Sequence, residues 1–182
     1  MSPTVAPLAI MSFVAPIAAI DVLYFHLYKL RLYAHRTSQL ETVTHLIRAL
    51  LFGAAALLLT HREPHGAWFW VITGLAAADL LNNLADVILE PRSRAPLGGL
   101  PPLEYVIHIV GATASGVIAG AWAIGAWPLA ALPTELAPPG EVPGWLAANG
   151  HALYAGAAAM LVGEATLLIR AMLRARVTAP AV

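Results

Sequence analysis

The chain has 182 residues, of which 59% are apolar and 11% charged, roughly half the charged share of an ordinary soluble domain. Mean hydropathy is +0.74, and ten acidic residues balance ten basic ones, which argues against a polybasic surface for nucleic acid. With no cysteine, disulfides, thiolate metal sites, iron–sulfur clusters and cysteine catalysis are all excluded.

A chain of this composition is expected to be an all-α polytopic membrane bundle folded as a single transmembrane domain, 1–182. A bilayer-crossing helix needs about 20 mainly apolar residues, and five stretches meet that requirement: about 7–32, 38–60, 67–90, 102–127 and 145–170. The N-terminus lacks a positive flank and its apolar stretch runs into a full span, so no cleaved signal peptide is expected. Connections are short except for the one holding the Pro/Gly-rich segment Pro133–Gly144, which reads as a loop outside the membrane.

Basic residues orient the spans. Lys29, Arg31, Arg36, Arg92, Arg94, Arg170, Arg174 and Arg176 fall on one side of a five-span arrangement, and Arg62 falls on the other. The positive-inside rule places the N-terminus outside and the C-terminus in the cytoplasm of a bacterial-type inner (plasma) membrane. Trp68, Trp70, Trp122, Trp127 and Trp145 lie toward the outer ends of their spans, as an aromatic belt does.

Ionisable groups inside a bilayer are costly and point to function. Most of them fall in the cytoplasmic half of this topology. Span one carries Asp21 and His26, and span two carries Glu41, His45 and Arg48 at i, i+4, i+7, hence on one face. Span three carries Asp79, Asn83, Asp86 and Glu90 on one face, span four has Glu104 and His108 at i, i+4, and span five has Glu164.

Spans one and two also resemble spans three and four. Asp21, Lys29, Glu41 and His45 recur in order as Asp86, Arg94, Glu104 and His108. Both copies begin on the same side, so they form a parallel internal repeat, related by a pseudo-two-fold axis along the membrane normal. Such an axis brings Asp21, Glu41 and His45 to face Asp86, Glu104 and His108 in a four-helix bundle core.

Four carboxylates packed together repel one another and lose hydration. Two divalent metal ions would offset them, with the two imidazoles completing the ligand set. Oxygen and imidazole donors suit iron first, then zinc or manganese. The donor pattern resembles that of ferritin-like di-iron and di-manganese carboxylate bundles, in which two helices give a glutamate and two give a Glu-x-x-His pair. Here aspartates replace the lone glutamates and the Glu–His spacing is four, which weakens transfer of ferritin-like activity. The stretch from Asp86 through Glu90, Arg92, Arg94, Leu100-Pro101, Glu104 and His108 is also similar to uncharacterised bacterial multi-pass membrane proteins, a resemblance that implies no function.

The remaining polar residues have structural readings. Ser38-x-x-Glu41 is a capping-box pattern, and Glu104 sits in a first turn where the helix dipole favours an acid. Asp79, Asn83, Glu90, Arg48 and Arg94 are expected to orient ligands or neutralise carboxylates around the centre. His26, beside Tyr24 and Tyr28, reads as interfacial, with metal ligation as its alternative; His61 and His65 read as a solvated turn, with a second metal site as theirs. Gly111, Ser115, Gly116 and Gly120 read as small-residue packing against another helix.

Three functional classes compete. A dinuclear metal centre, iron for preference, would serve an oxidoreductase acting on a lipid or quinone-like substrate that enters from the bilayer, or, with zinc, a lipid hydrolase. Alternatively His45 and His108 could bind haem b for electron transfer, or the repeat interface could pass a cation or proton. Membrane lipids and a lipid-soluble substrate are the expected partners, nucleic acid is not, and a homo-oligomer is compatible with all readings.

Overall fold

The computed structural model describes residues 2–177 and is a helical bundle. Five of its helices are long and apolar enough to cross a membrane: α1 Val5–Lys29, α2 Gln39–His61, α3 Ala67–Leu97, α4 Pro102–Gly125 and α5 Gly144–Val177. They coincide in place with the five apolar stretches, and the differences lie at their polar ends. Helix α3 runs past Glu90 and through Pro91 into a final tight turn, Ala95–Leu97. Gly98 and Gly99, both at φ 91°, then reverse the chain. Pro101 and Pro102 open α4 where a missing N–H costs nothing.

Helix α1 changes winding midway. Val5–Ile20 is α-helical, and Asp21–Lys29 is wound as a π-helix, closed by a bond from the Leu30 N–H to the Phe25 carbonyl at 2.8 Å. The wide turn ends at Arg31, whose left-handed backbone (φ 49°) turns the chain toward α2.

Packing is uneven around the bundle. Helix α2 is central, lying along α5 and against α3; α4 packs on α1 and α3; α1 and α2 barely touch. The α2–α5 approach is close because the residues facing each other are small. A Cβ on Gly53 would lie 3.1 Å from that of Ala157, and one on Gly150 would run into the Thr60 side chain. Gly111, Gly116 and Gly120 do not pack this way, since a Cβ on any of them would meet nothing within 4 Å.

The half of the bundle nearest the N-terminus has an apolar core built on Leu8, Met11, Leu59, Phe69, Trp122 and Leu146, all 2% exposed or less. Phe69 and Trp122 stack with centroids 5.5 Å apart, and the Trp122 indole N–H donates to Thr73 Oγ1 at 3.2 Å. A two-residue antiparallel ladder, β1 (Glu63–Pro64) with β2 (Leu136–Ala137), ties the long α4–α5 connection over this end. His65 belongs to that tie. It is mostly buried, with Nε2 3.1 Å from Glu63 and Nδ1 3.4 Å from Glu135, so it is a strut and not a solvated turn. His61 packs edge-on to His151 and lies beside Tyr154.

Candidate metal centre

The other half of the bundle has an ionisable core. Asp21, His26, Glu41, His45, Asp86, Glu90, Arg94, Glu104 and Glu164 are all buried, contributed by all five long helices. His108 belongs with them on geometry: its Nε2 is 3.0 Å from Asp21 Oδ2, and its Nδ1 contacts Glu90 Oε1. The polar residues of five spans therefore converge at one level, as their helical registers lead one to expect.

The aspartates and histidines pair across hairpins. Asp21 on α1 meets His108 on α4, and Asp86 on α3 meets His45 on α2, with Nε2 3.5 Å from Oδ1. Both aspartates stand eight residues before a basic residue at the polar end of their helices, Lys29 in one case and Arg94 in the other. Asp21 is thereby no deeper along its helix than Asp86. The basic residues diverge, however: Lys29 is exposed, its ammonium 5.2 Å from the Phe25 ring centroid, whereas Arg94 is 1% exposed.

Arg94 holds the middle of the cluster. Its guanidinium donates to Glu41 Oε2 at 2.9 Å, lies 2.7 Å from Glu41 Oε1 and also donates to Glu104 Oε1. Expected to orient ligands or neutralise carboxylates around the centre, it is the protein's own counter-ion for two of the ligands read from sequence, Glu41 and Glu104. That alters the charge argument: part of the carboxylate repulsion is offset by the chain itself, while Asp21, Asp86, Glu90 and Glu164 remain beside three histidines. Glu41 is no capping residue. Ser38 makes no side-chain cap bond and its hydroxyl donates to the Ser93 carbonyl at 3.2 Å, tying the start of α2 to α3 beside Arg94.

His26 is the residue whose favoured sequence reading, interfacial, the structure overturns. It is 1% exposed, its Nε2 lies 3.1 Å from Glu104 Oε1 and 3.5 Å from Asp21 Oδ1, and its ring stacks on His45 with centroids 4.2 Å apart. In an α-helix residues five apart diverge by about 140° around the axis. Asp21 and His26 share a face because the intervening turn is π-wound, a feature that tends to mark functional sites in helices. Alternating Tyr24 and Tyr28 with His26 suggested an interfacial stripe, and no α-helical periodicity could have said otherwise.

Glu164 closes the cluster from α5, its Oε1 3.9 Å from His45 Nδ1. Thr44 donates to Asp86 and, at 2.6 Å, to the Glu41 carbonyl, while Asn82 donates to the Thr44 carbonyl at 2.9 Å. Asp79 and Asn83 stand one level away. Asp79 Oδ2 accepts from Ser115 at 2.8 Å and Asn83 at 3.2 Å, and its Oδ1 is 3.5 Å from Arg48 Nε.

Two overlapping donor groups emerge. Asp21, His26, Glu104 and His108 each offer a ligand atom within 4.8 Å of the others, and so do His26, Glu41 and His45. Of the six ligands expected from sequence, five therefore fall in these groups, His26 joins them, and Asp86 stands outside, held by Thr44 and His45. Two buried atoms of these groups, His26 Nδ1 and Glu104 Oε2, have neither a hydrogen-bond partner nor an ion-pair contact. Unpaired buried donors and acceptors are costly, and these two lie in the groups that could hold an ion. The donors are carboxylate oxygen and imidazole nitrogen, which fits iron, manganese or zinc. An ion there would share Glu104 and Glu41 with Arg94.

A cleft of about 700 Å³ opens onto this cluster between α1, α2 and α5. Its walls are mostly apolar and its floor includes Asp21, His26, His45, Arg48 and Glu164. No family profile matches the chain, and neither a curated protein nor a solved structure is detectably similar to it.

Proposed function

We propose that the protein is an integral membrane metalloprotein in which a dinuclear centre, iron ahead of zinc or manganese, acts as an oxidoreductase on a lipid or quinone-like substrate. The observation that carries this reading is the buried set Asp21, His26, Glu104 and His108, with ligand atoms mutually within 4.8 Å and two of its polar atoms unpaired. Glu41 and His45 would complete the second position, sharing His26 with the first. Bound metal supplies redox or Lewis-acid chemistry that no side chain of this cysteine-free chain provides.

The chain's own residues have definable tasks. Asp86 and Glu164 flank His45, and Asp21 and Glu90 flank His108, which fixes each ring's orientation. Arg94 keeps Glu41 and Glu104 at their separation whatever else binds there. Asp86 and Glu90, beside the histidines and outside the donor groups, are placed to hold or pass protons. The reciprocal pairing of Asp21 with His108 and Asp86 with His45 is what a parallel two-fold repeat produces, and it supports that reading of the sequence. The clustering of basic residues supports the cytoplasmic leaflet of a bacterial-type plasma membrane.

The alternatives have less support. A haem between His45 and His108 would need the space that the His26 ring fills, 4.2 Å from one and 5.8 Å from the other by centroids. A transport path would have to cross the apolar core around Leu8, Phe69 and Trp122. Zinc-dependent hydrolysis uses the same donors, so metal identity separates it from redox chemistry.

Elemental analysis with an optical spectrum tests the proposal. Protein purified in mild detergent and loaded with ferrous iron, or with zinc, should retain metal near stoichiometry, and His108→Ala should retain almost none. A wild-type protein that holds neither metal after loading overturns it, and a Soret band would favour haem instead.

A further inference from the structure

The cleft between α1, α2 and α5 exists because its walls are built from residues too small to fill it. Helix α1 presents Ala15 and Ala19 to it, and α5 presents Ala152, Gly156 and Ala159. A Cβ on Gly156 would meet nothing within 4 Å, whereas Gly53 and Gly150, on the neighbouring α2–α5 contact, have close neighbours. The same pair of helices thus closes on one side and stands off on the other. The resulting volume, about 700 Å³, lies within the range of roughly 300–1,000 Å³ typical of small-molecule sites.

Its polar end is specific. His26 and His45 are 1% and 7% exposed, both line the cleft, and the Nδ1 of each makes no hydrogen bond. Asp21 and Glu164 flank them there, the latter 3.9 Å from His45 Nδ1. Arg48 also lines the cleft, but it is directed to Asp79. In the metal-free chain an anionic head would meet two carboxylates against one engaged cation. A neutral head that can hydrogen-bond to imidazole meets no such penalty, and buried imidazole nitrogens gain from it. Away from this end the lining is apolar apart from Ser12, whose hydroxyl already donates to the Leu8 carbonyl, and Asn149, so a bulky polar headgroup finds few partners there.

We propose that this cleft binds a single-chain lipid with an uncharged hydrogen-bonding head, a hydroxyl or carbonyl, seated at His26 and His45 with its chain along the α1–α5 wall. This deepens the metalloprotein reading and rests on it for the chemistry, but not for the binding. The donor groups of the centre and the floor of the cleft share His26 and His45, so a head bound there lies beside the metal positions.

Photolabelling of the full chain in phosphatidylcholine nanodiscs tests it. Hexadecanol carrying a tail diazirine should label α1, α2 and α5 around Phe52 and Met160, in competition with unlabelled hexadecanol. In chelator-treated protein, diazirine-bearing hexadecanoic acid and phosphatidylcholine should label these positions far less. Gly156→Phe, and separately Ala19→Leu, should lower hexadecanol labelling by about tenfold while leaving metal content unchanged. Equal labelling by the acid or by phosphatidylcholine overturns the proposal, as does labelling indifferent to both substitutions. Metal content measured on the untreated samples separates the two readings: metal without labelling sinks the cleft, and labelling without metal sinks the centre.

Discussion

The two halves of this bundle are made by the same five helices and held by opposite means. Near the N-terminus the core is Leu8, Met11, Phe69 and Trp122, where shape and dispersion suffice and each contact is tolerant of its neighbours. At the other end the core is carboxylates, imidazoles and one guanidinium, where each group is acceptable only while its partner is in place. Buried ion pairs of this kind add little net stability, yet losing one partner is costly. The apolar half therefore carries the stability of a structure whose polar half is held by mutual pairing.

Removing Arg94 should break that arrangement most severely. Arg94→Met leaves Glu41 and Glu104 facing each other without a counter-charge, and losing one partner of a buried ion pair costs about 3–5 kcal/mol. Thermal unfolding in detergent should show a large drop. The triple variant Arg94→Met/Glu41→Gln/Glu104→Gln should regain much of it, because neutral groups need no counter-ion. If Arg94→Met alone unfolds like wild type, the guanidinium is not what reconciles these carboxylates.

Trp122→Ala tests the opposite half. The indole is 1% exposed, stacked on Phe69 and hydrogen-bonded to Thr73, and its truncation should cost about 3–5 kcal/mol. Metal retention per folded chain should not change. A loss of metal in this variant would mean that the two halves are energetically one unit.

His26→Ala reverses that pattern. The ring belongs to both donor groups, so metal retention should collapse, while stability falls by about 1–3 kcal/mol for the Glu104 carboxylate left without its histidine. Full metal retention without His26 would return the centre to the ligand set read from sequence.

That set was legible in part, and the reason is periodicity. Glu41 with His45 and Glu104 with His108 are one helical turn apart, so their shared faces follow from numbering alone, as does the place of the five helices. His26 was lost because the π-wound segment Asp21–Lys29 obeys a different period. Arg94 was read as a neutralising group, but its partners were not legible: a terminal basic residue ordinarily reaches water, as Lys29 does, and only the tertiary fold turns this one inward between α2 and α4. The cleft could not be read at all, since small residues at helical spacing are found both in tight contacts, such as Gly53 on Ala157, and beside open space, as at Gly156.

The boundary between the halves runs through Asp79, and Asp79→Asn should move it least. The side chain accepts from Ser115 and Asn83 and faces Arg48, whose side chain is 32% exposed. An asparagine keeps an oxygen for the first two and surrenders only the charge opposite Arg48. Partly exposed pairs of this kind contribute about 0–1 kcal/mol, and no atom of Asp79 belongs to a donor group. Melting temperature should shift slightly, and iron retention should match wild type. Should retention instead fall to the level of His108→Ala, the ionisable core extends a full turn further into the bundle than its hydrogen bonds indicate, and the apolar half begins at Thr73 and Trp122.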